Sequence, residues 1–221
     1  MTDNRMRILE ALAAEVEASG YSATTVADIV RRARVSRRTF YESFPDRDSC
    51  YLALADHINT TMVDAVGAAF DAVADAPLDD RVERALRTFV TVAAAAPGIT
   101  LSLHRELPAL GAAGMRQRRE MLTRFADLVT SHIDGESATP IAAMFLVSGF
   151  NEVIASAIED GTDPAAALPA LRRLVLASLD ADVAERPSME DLLSKVRERK
   201  RAQPATTSTE RILADLDADR R

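Results

Sequence analysis

The stretch that decides the fold is Val35–Phe44, which reads VSRRTFYESF. Ser36 is a residue type that caps helix N-termini, and Phe40 and Phe44 are spaced by four, which places both rings on one helical face. The arginine pair, the threonine and the tyrosine of this stretch then point away from that apolar face. The pattern predicts a short helix with an apolar inner face and a basic outer one.

A second short helix is predicted immediately upstream, in residues 24–33, TTVADIVRRA. Thr25 and Asp28 have the spacing of a capping box, with Asp where Glu is usual, and apolar residues follow at helical spacing. A longer apolar pattern precedes it in RMRILEALAAEVEASG and ends at Gly20, as helices often do. Two short helices joined by a tight turn after a longer one predict a three-helix helix-turn-helix domain.

The arginines of this region contrast with an acidic chain, since the 221 residues carry a formal net charge of −7. Residues 31–47 hold six arginines and two acidic residues, net +4, whereas residues 56–185 hold 10 basic and 19 acidic residues, net −9. A basic patch on an acidic body can approach a polyanion while the body is repelled by it. Clustered surface arginines usually form an ordinary solvated face, so charge alone leaves nucleic-acid binding as the alternative.

The start of the second helix of such a motif enters the major groove, where an arginine can bind guanine O6 and N7 together. Arg37 and Arg38 are therefore candidates for reading bases. Hydroxyl groups near helix N-termini suit phosphates instead. The candidate DNA-contacting residues are Thr25, Ser36, Arg37, Arg38, Thr39, Tyr41 and Arg47. A surface helix hairpin with scattered arginines is the alternative.

The rest of the chain is also predicted to be helical, which makes the fold class all-α with about nine helices. A proline–aspartate pair stops the short helix and begins a long one that continues to about residue 75 and links two domains. We predict a helix-turn-helix domain in residues 1–54, a second helical domain in residues 55–185, and a partly disordered tail in residues 186–221. No period-two strand pattern extends over more than a few residues.

Residues 5–54 resemble the N-terminal DNA-binding domain of the TetR family of bacterial transcriptional regulators. The residues that fall where the family pattern expects them are Gly20, Tyr21, Thr25, Ile29, Val35, Ser36, Thr39, Tyr41, Phe44, Arg47 and Asp48. The resemblance implies a DNA-binding regulator in which residues 55–185 form a C-terminal helical ligand-binding and dimerisation domain.

Arg34 departs from the family pattern, which usually has glycine at this place in the turn. The departure predicts a slightly different turn backbone. For the side chain, a phosphate contact and exposure to solvent are the two alternatives.

The last two predicted helices are candidates for a dimer interface. Small residues on them allow close helix approach, and a two-fold axis can join two copies into a four-helix packing. The candidate interface residues are Ser148, Gly149, Glu152, Ala155, Leu168, Leu171, Val175 and Leu179. A plain core within one chain is the alternative.

Helices five to eight supply candidates for a small-molecule pocket, since apolar walls with a few polar groups are how such sites are built. The candidate lining residues are Phe89, Leu103, His104, Met115, Met121, Phe125, Met144 and Asn151. His104 is also a group that can donate to a ligand or titrate near neutral pH. For each apolar residue taken alone, plain core is the alternative.

The sequence favours no enzyme, cofactor or metal site. It contains no HExxH motif, phosphate-cradling glycine loop or GxSxG motif, its three histidines are far apart, and Cys50 has no cysteine partner. No apolar run reaches the length of a membrane span, and the N-terminus lacks the pattern of a signal peptide. We therefore expect a cytoplasmic protein without a membrane partner.

These features predict a ligand-released repressor that binds a near-palindromic operator in double-stranded DNA as a homodimer. Its effector is expected to be a small, largely apolar molecule. A nonspecific nucleic-acid-binding or scaffold protein without small-molecule control is the alternative.

Overall fold

The computed structural model describes residues 2–133 and 140–180, and within these ranges the regular structure is helical, with no strand. The helices are α1 (Thr2–Ser19), α2 (Val26–Ala33), α3 (Arg37–Ser43), α4 (Arg47–Asp71), α5 (Leu78–Ala95), α6 (Pro97–Ala109), α7 (Ala112–His132), α8 (Pro140–Glu159) and α9 (Leu168–Asp180), with a 3-10 turn at Pro164–Ala167. The all-α prediction is confirmed. The predicted tail lies outside the described residues, as does the side chain of Leu179.

Side-chain caps begin α2, α3 and α4, as the sequence predicts. The Thr25 hydroxyl accepts from the Asp28 N–H at 3.3 Å, and the Asp28 carboxylate accepts from the Thr25 N–H at 3.1 Å. Ser36 and Asp46 accept in the same way from the N–H three residues on, at 3.0 and 2.6 Å. Each such cap contributes about 1 kcal/mol and determines where its helix begins.

One apolar core holds α1 to α4 together. Leu12 of α1, Phe40 of α3, and Tyr51 and Leu54 of α4 are each no more than 2% exposed. Leu107 of α6 belongs to the same core although it is far along the chain. The helix-turn-helix is therefore packed against the second half of the chain through α6 as well as joined to it by α4.

A second apolar core lies between α4, α5, α7, α8 and α9. Phe70, Phe125, Phe150 and Ile154 are buried in it. Because α4 contributes to both close-packed cores, a displacement of this helix in one core is transmitted to the other.

The turn between α2 and α3 passes through a left-handed residue, Arg34, with φ 53° and ψ 44°. The Arg34 N–H donates to the Arg31 carbonyl oxygen at 3.3 Å, and the Val35 N–H donates to that of Val30 at 3.1 Å. Glycine is the usual residue in such a helix-ending turn because it has no Cβ. The backbone thus follows the course that glycine takes, and the expectation of a different turn is wrong. The Arg34 side chain is exposed to solvent.

Arg34→Gly should raise the free energy of unfolding by about 1 kcal/mol, because an L side chain in the left-handed region costs roughly that much. For a chain of this size the melting temperature should rise by about 2–4 °C. Arg34→Ala is the matched control, since it removes the same side chain but keeps the Cβ. An equal gain in both variants would show that the side chain, rather than the backbone, is the source of the strain.

Among the described helices, α8 alone has the length and apolarity of a membrane span, with a mean hydropathy of 1.7 and 22% of the window buried. α5 and α6 reach the length and apolarity of a span only if they are taken together, and a bend of 91° separates them. A helix of a non-membrane protein has the same length and apolarity if one of its faces packs on the core of the chain and another apolar face stays uncovered. α8 packs against α7, and its other side exposes large apolar residues.

Candidate DNA-reading helix and ligand cavity

α3 presents its polar face to solvent. Arg37, Arg38 and Tyr41 are exposed, Tyr41 to 51%, while Phe40 is fully buried beneath them. Arg38 Nε donates to the Glu42 carboxylate at 2.8 Å. Arg37, in contrast, has no carboxylate within 4.0 Å in the described part of the chain. In the free protein the Arg37 guanidinium is therefore available for a base contact. Arg38 would first have to break its ion pair with Glu42, or keep that pair while it contacts DNA.

Two of the predicted phosphate-binding hydroxyls act as helix caps. The Thr25 hydroxyl donates to the Asp28 carboxylate at 2.5 Å, and the hydroxyls of Ser36 and Thr39 hydrogen-bond each other at 2.9 Å. Thr25 and Ser36 remain exposed, so their contact with phosphate stays a prediction. Removing Thr25 also removes a cap, which makes it a poor probe of DNA contact.

Arg47 makes most of its contacts inside the domain. Its Nη1 donates to the Thr24 carbonyl oxygen at 2.6 Å, and its guanidinium lies 4.3 Å from the centroid of the Tyr21 ring. The Tyr21 hydroxyl also donates to Asp48. These contacts tie the start of α4 to the segment between α1 and α2. A DNA contact of Arg47 stays a prediction.

A cavity of about 190 Å³ lies between α4, α5, α6, α7 and α8. Six of the eight residues predicted for a pocket line it: Phe89, Leu103, His104, Met121, Phe125 and Asn151. Ile58, Asn59 and Met62 of α4 and Arg118 of α7 also line the cavity and are not predicted from the sequence. The α4 residues carry no distinct signal, because helical periodicity alone does not separate a cavity wall from a filled core.

Met115 and Met144 do not line this cavity, and the structure corrects their assignment to it. Met115 is 46% exposed in the first turn of α7. Met144 precedes Asn151 by two helical turns on α8, which places it about 10 Å further along the helix axis. Helical spacing predicts which face a residue is on, but not whether the cavity extends to its level.

Three polar side chains of the cavity wall already have protein partners. His104 Nε2 lies 2.9 Å from the Glu152 carboxylate. The Thr100 hydroxyl and the Asn151 amide each donate to a backbone carbonyl oxygen, at 2.9 and 2.8 Å. A role of His104 toward a ligand stays a prediction. No cluster of His, Cys, Asp or Glu among the described residues is arranged to hold a metal ion.

A smaller cavity of about 80 Å³ adjoins the first. The two share Phe89, Phe125 and Asn151 as wall residues. Phe89 packs edge-to-face on Phe125 at 5.5 Å and on Phe150 at 5.3 Å between ring centroids. Phe89 and Phe125 therefore stand between the two spaces and belong to the wall of each.

α6 connects the cavity wall to the helix-turn-helix domain. Leu103 and His104 of α6 line the cavity. Glu106, on the same helix, accepts hydrogen bonds from the backbone N–H groups of Tyr21 and Ser22, both at 2.8 Å. Those two residues join α1 to α2. The sequence offers no signal for this contact, because its partners are 85 residues apart.

Gly98 permits the close approach of α1 and α6, and Gly20 permits the turn that ends α1. Gly20 has φ +77°, and a Cβ there would meet the Glu106 carboxylate at 3.4 Å. A Cβ on Gly98, at the start of α6, would lie 2.4 Å from the Glu17 carbonyl oxygen. The Ile99 N–H also donates to the Glu17 carboxylate at 2.8 Å. The two helices thus meet backbone to backbone at this point, which leaves little room for one to move without the other.

Glu106 remains ionised at neutral pH. Burial opposes its charge, but hydrogen bonds from Ser102, Ser22 and Tyr21 outweigh burial and hold the pKa of Glu106 below its ordinary value. A carboxyl with a lowered pKa stabilises the fold above its unfolded value of about 4.5, and this contribution is lost as the pH falls through the folded value. The α1–α6 junction is therefore intact at neutral pH and weakened by acid.

Half of the predicted dimer residues face the chain's own core. Ala155, Leu168 and Leu171 are no more than 8% exposed, so a second copy cannot contact them and their assignment to a dimer interface is wrong. Val175 packs against the same core and lines the smaller cavity but is partly exposed, so its assignment stays a prediction. Both α8 and α9 carry apolar residues on their inner and outer sides, so helical spacing alone does not separate the two sides. The remaining described members, which are at least partly exposed, stay predictions: Ser148, Gly149 and Glu152.

The open face of α8 and α9, which we define by Ile141, Phe145, Val153 and Leu174, exposes these four apolar side chains by 40–83%. On α8 they follow a spacing of four that includes Gly149, where a Cβ would meet nothing within 4 Å. Exposed apolar surface of this kind typically marks an interaction site. It is the candidate surface for a second copy of the chain.

The helix-turn-helix is matched by a family model. The model of bacterial regulatory proteins of the tetR family matches residues 8–54, which include α2, the turn at Arg34 and α3. The N-terminal helix-turn-helix domain of the chain is a TetR-family domain. The fold of the whole chain is TetR-like, with the helix-turn-helix domain at the N-terminus and a helical domain after it.

Solved structures extend the likeness in fold to the second half of the chain. A TetR-family regulator from Streptomyces coelicolor is 16% identical with a TM-score of 0.70, over 99% of this chain and 97% of that one. The fatty acid degradation regulator FadR from Bacillus halodurans is 16% identical with a TM-score of 0.68, over 80% and 96%. FadR from Bacillus subtilis, solved with stearoyl-CoA, is 14% identical with a TM-score of 0.66, over 80% and 98%. These identities show the fold alone. No curated protein matches the chain.

Proposed function

We propose that this TetR-family protein is a sequence-specific DNA-binding repressor that acts as a homodimer and is released from its operator by a small molecule. One arrangement supports this most directly. α4 and α6 pack against the helix-turn-helix on one side and line the 190 Å³ cavity on the other. A molecule that displaces either helix therefore changes the position of α3.

Release requires that the ligand bind one arrangement of α4 and α6 more tightly than the other. A tenfold loss of operator affinity corresponds to about 1.4 kcal/mol of such preference. The two α3 helices of a dimer have to match successive major grooves, about 34 Å or a multiple of it apart. A small rotation of each helix-turn-helix domain is enough to spoil that match.

The ligand is proposed to be small and largely apolar, from the composition of the cavity wall. The structural neighbour from Bacillus subtilis is described with stearoyl-CoA. For this chain we propose a smaller molecule. An engineered cavity of about 150 Å³ holds benzene, and the present cavity of about 190 Å³ is only moderately larger.

Selection of DNA from a random pool by the purified protein tests the proposal. We expect one near-palindromic sequence to be enriched, with half-sites about 10 base pairs or a multiple of that apart. Enrichment of no sequence, together with equal affinity for random duplex, would instead support a nonspecific nucleic-acid-binding protein.

Glu106→Ala should separate ligand binding from ligand release. Glu106 lies outside the cavity wall but holds the Tyr21 and Ser22 N–H groups, so a ligand found by thermal-shift screening should still bind within about twofold. In the unchanged protein we expect that ligand to lower operator affinity by about 5–150-fold. In Glu106→Ala the ratio of operator affinities without and with ligand should fall towards one. Fluorescence anisotropy on the selected operator measures both states.

Glu120→Ala is the matched control for Glu106→Ala, because Glu120 is an exposed acidic residue of the neighbouring helix α7. It should leave both binding and release unchanged. Full release in Glu106→Ala would show that α4 alone carries the coupling.

A further inference from the structure

We propose that the effector of this protein is a small organic acid with an apolar body, whose carboxylate binds Arg118 and whose neutral polar group hydrogen-bonds the amide of Asn59. The inference rests on the proposed function, because it names the chemical class of the molecule that enters the cavity of about 190 Å³. Two side chains of the cavity wall carry it.

Asn59 lines the cavity from α4 and is 2% exposed. Neither its Nδ2 nor its Oδ1 has a hydrogen-bond partner among the described residues, and both atoms are shielded from solvent. A buried amide costs free energy unless its donors and its acceptor are satisfied. Thr100 and Asn151, in the same wall, each already donate to a backbone carbonyl oxygen. Asn59 is thus the wall amide whose hydrogen bonds a ligand can supply once the side chain turns, because neither polar atom is accessible from the cavity in the observed conformation.

A neutral group that both donates and accepts is the best complement to this amide. The carboxamide offers two donor hydrogens and one acceptor oxygen. Ile58 and Met62, its neighbours in the α4 wall, are apolar, so an ionised group beside Asn59 would be poorly solvated. A hydroxyl or an amide of the ligand satisfies both ends of Asn59 without charge. A rotation of the side chain towards the cavity presents its polar atoms to such a group.

Arg118 provides the charge in the same cavity, from α7. It is partly buried, and within the described ranges no carboxylate lies within 4.0 Å of it. Arg124 of the same helix pairs with Asp56 at 2.8 Å, and Arg172 pairs with Asp79. A guanidinium binds a carboxylate through two parallel hydrogen bonds, more strongly than it binds a neutral group. The unpaired guanidinium beside an apolar space therefore favours an organic acid.

The apolar body of the ligand is limited to about one ring or a short chain. Phe89, Leu103, Met121 and Phe125 line the space available to it. A longer body requires Phe89 and Phe125 to move and open the way to the smaller cavity of about 80 Å³.

The position of Asn59 on α4 also links the ligand to DNA binding. α4 begins beside the helix-turn-helix and contributes Tyr51 and Leu54 to its core. Hydrogen bonds that Asn59 gains only with ligand favour the arrangement of α4 that makes them. Occupancy of the cavity therefore biases the helix on which α3 is mounted.

A matched compound panel tests the chemical class. It contains equal sets of single-ring and short-chain molecules on shared bodies: acids with a hydroxyl or amide, plain acids, neutral alcohols or amides, and hydrocarbons. On the phenyl body these are represented by 4-hydroxyphenylacetate, phenylacetate, 4-ethylphenol and ethylbenzene. We expect the tightest binders, by thermal shift and calorimetry, in the first set. The inference is overturned if the tightest binders belong to another set. It is also overturned if no compound of the panel binds.

Asn59→Leu and Arg118→Met assign the two contacts. Asn59→Leu should raise the melting temperature of the free protein, because it removes an unsatisfied buried amide, and should weaken hydroxy- and amido-acids about tenfold while sparing plain acids. Arg118→Met should weaken all acids about tenfold and spare neutral compounds. Thr61→Val on α4 and Arg119→Met on α7 are the matched controls, because both positions are exposed. They should change the affinity of neither the acids nor the neutral compounds.

Equal weakening of every set by Asn59→Leu would show that the residue only shapes the cavity, and it would overturn the inference. Operator affinity measured on the same samples separates this failure from failure of the proposed function. Release of the operator by hydrocarbons or neutral compounds alone leaves the function standing and overturns the class of ligand. Panel compounds that bind in the cavity and never change operator affinity overturn ligand release, whatever their class.

Discussion

Phe145→Glu combined with Leu174→Glu should convert the protein to monomers and lower its affinity for the selected operator by about 10²–10⁴-fold. The two side chains are 77% and 62% exposed on the open face of α8 and α9, where a second copy would bury them. A buried, unpaired carboxylate costs several kcal/mol, whereas in a monomer the same glutamates are solvated. Light scattering gives the mass, and anisotropy gives the operator affinity.

The control for this pair is Ala94→Glu with Thr123→Glu, which adds the same charge at exposed positions of α5 and α7. It should stay dimeric and bind the operator normally. Leu171→Glu is not a suitable probe, because Leu171 is 7% exposed in the chain's own core and the variant would unfold it. A Phe145 and Leu174 variant that is monomeric and binds with unchanged affinity would contradict a dimeric repressor.

Arg37→Ala should weaken the selected operator by about 1–3 kcal/mol, roughly 5–150-fold, and relax base choice at one position of each half-site. Arg37 has no carboxylate partner within the described residues, so its guanidinium reaches a base without breaking an ion pair. Arg38→Ala should cost less, because Arg38 first gives up Glu42 at 2.8 Å. Glu42→Gln should therefore strengthen operator binding. Repeated selection with each variant measures base choice.

Arg32→Ala is the control for charge alone, since Arg32 is an exposed arginine of α2 that pairs with Glu15 at 2.8 Å. It should affect operator and random duplex equally. If Arg37→Ala also lowered both by the same factor, Arg37 would be a phosphate contact and not a reader of bases.

The N-terminal half was predictable because its signals are local. The caps at Thr25, Ser36 and Asp46 bind N–H groups within one turn of themselves, so neighbouring residues contain the whole interaction. Phe40 and Phe44 bury one face of α3 as their spacing requires. Even at Arg34, where the residue type departs from the family pattern, the surrounding turn determined the backbone.

The cavity was predictable only in part. Apolar residues at helical spacing point inwards, which is why six of the eight predicted residues line it. Asn59 was missed because a polar residue in an amphipathic helix is expected at the surface. Its burial depends on the packing of α5 and α7 against α4, and no pattern within α4 contains that information.

The sequence by itself determined the helices, the helix-turn-helix and the family, because these follow from capping and periodicity over a few turns. Only the tertiary structure decided which face of α8 stays open and that Glu106 meets Tyr21 from 85 residues away. α8 is apolar on more than one side, so its periodicity does not say which side is buried. That choice depends on which packing of the other helices leaves the least apolar surface in water, a property of the whole chain.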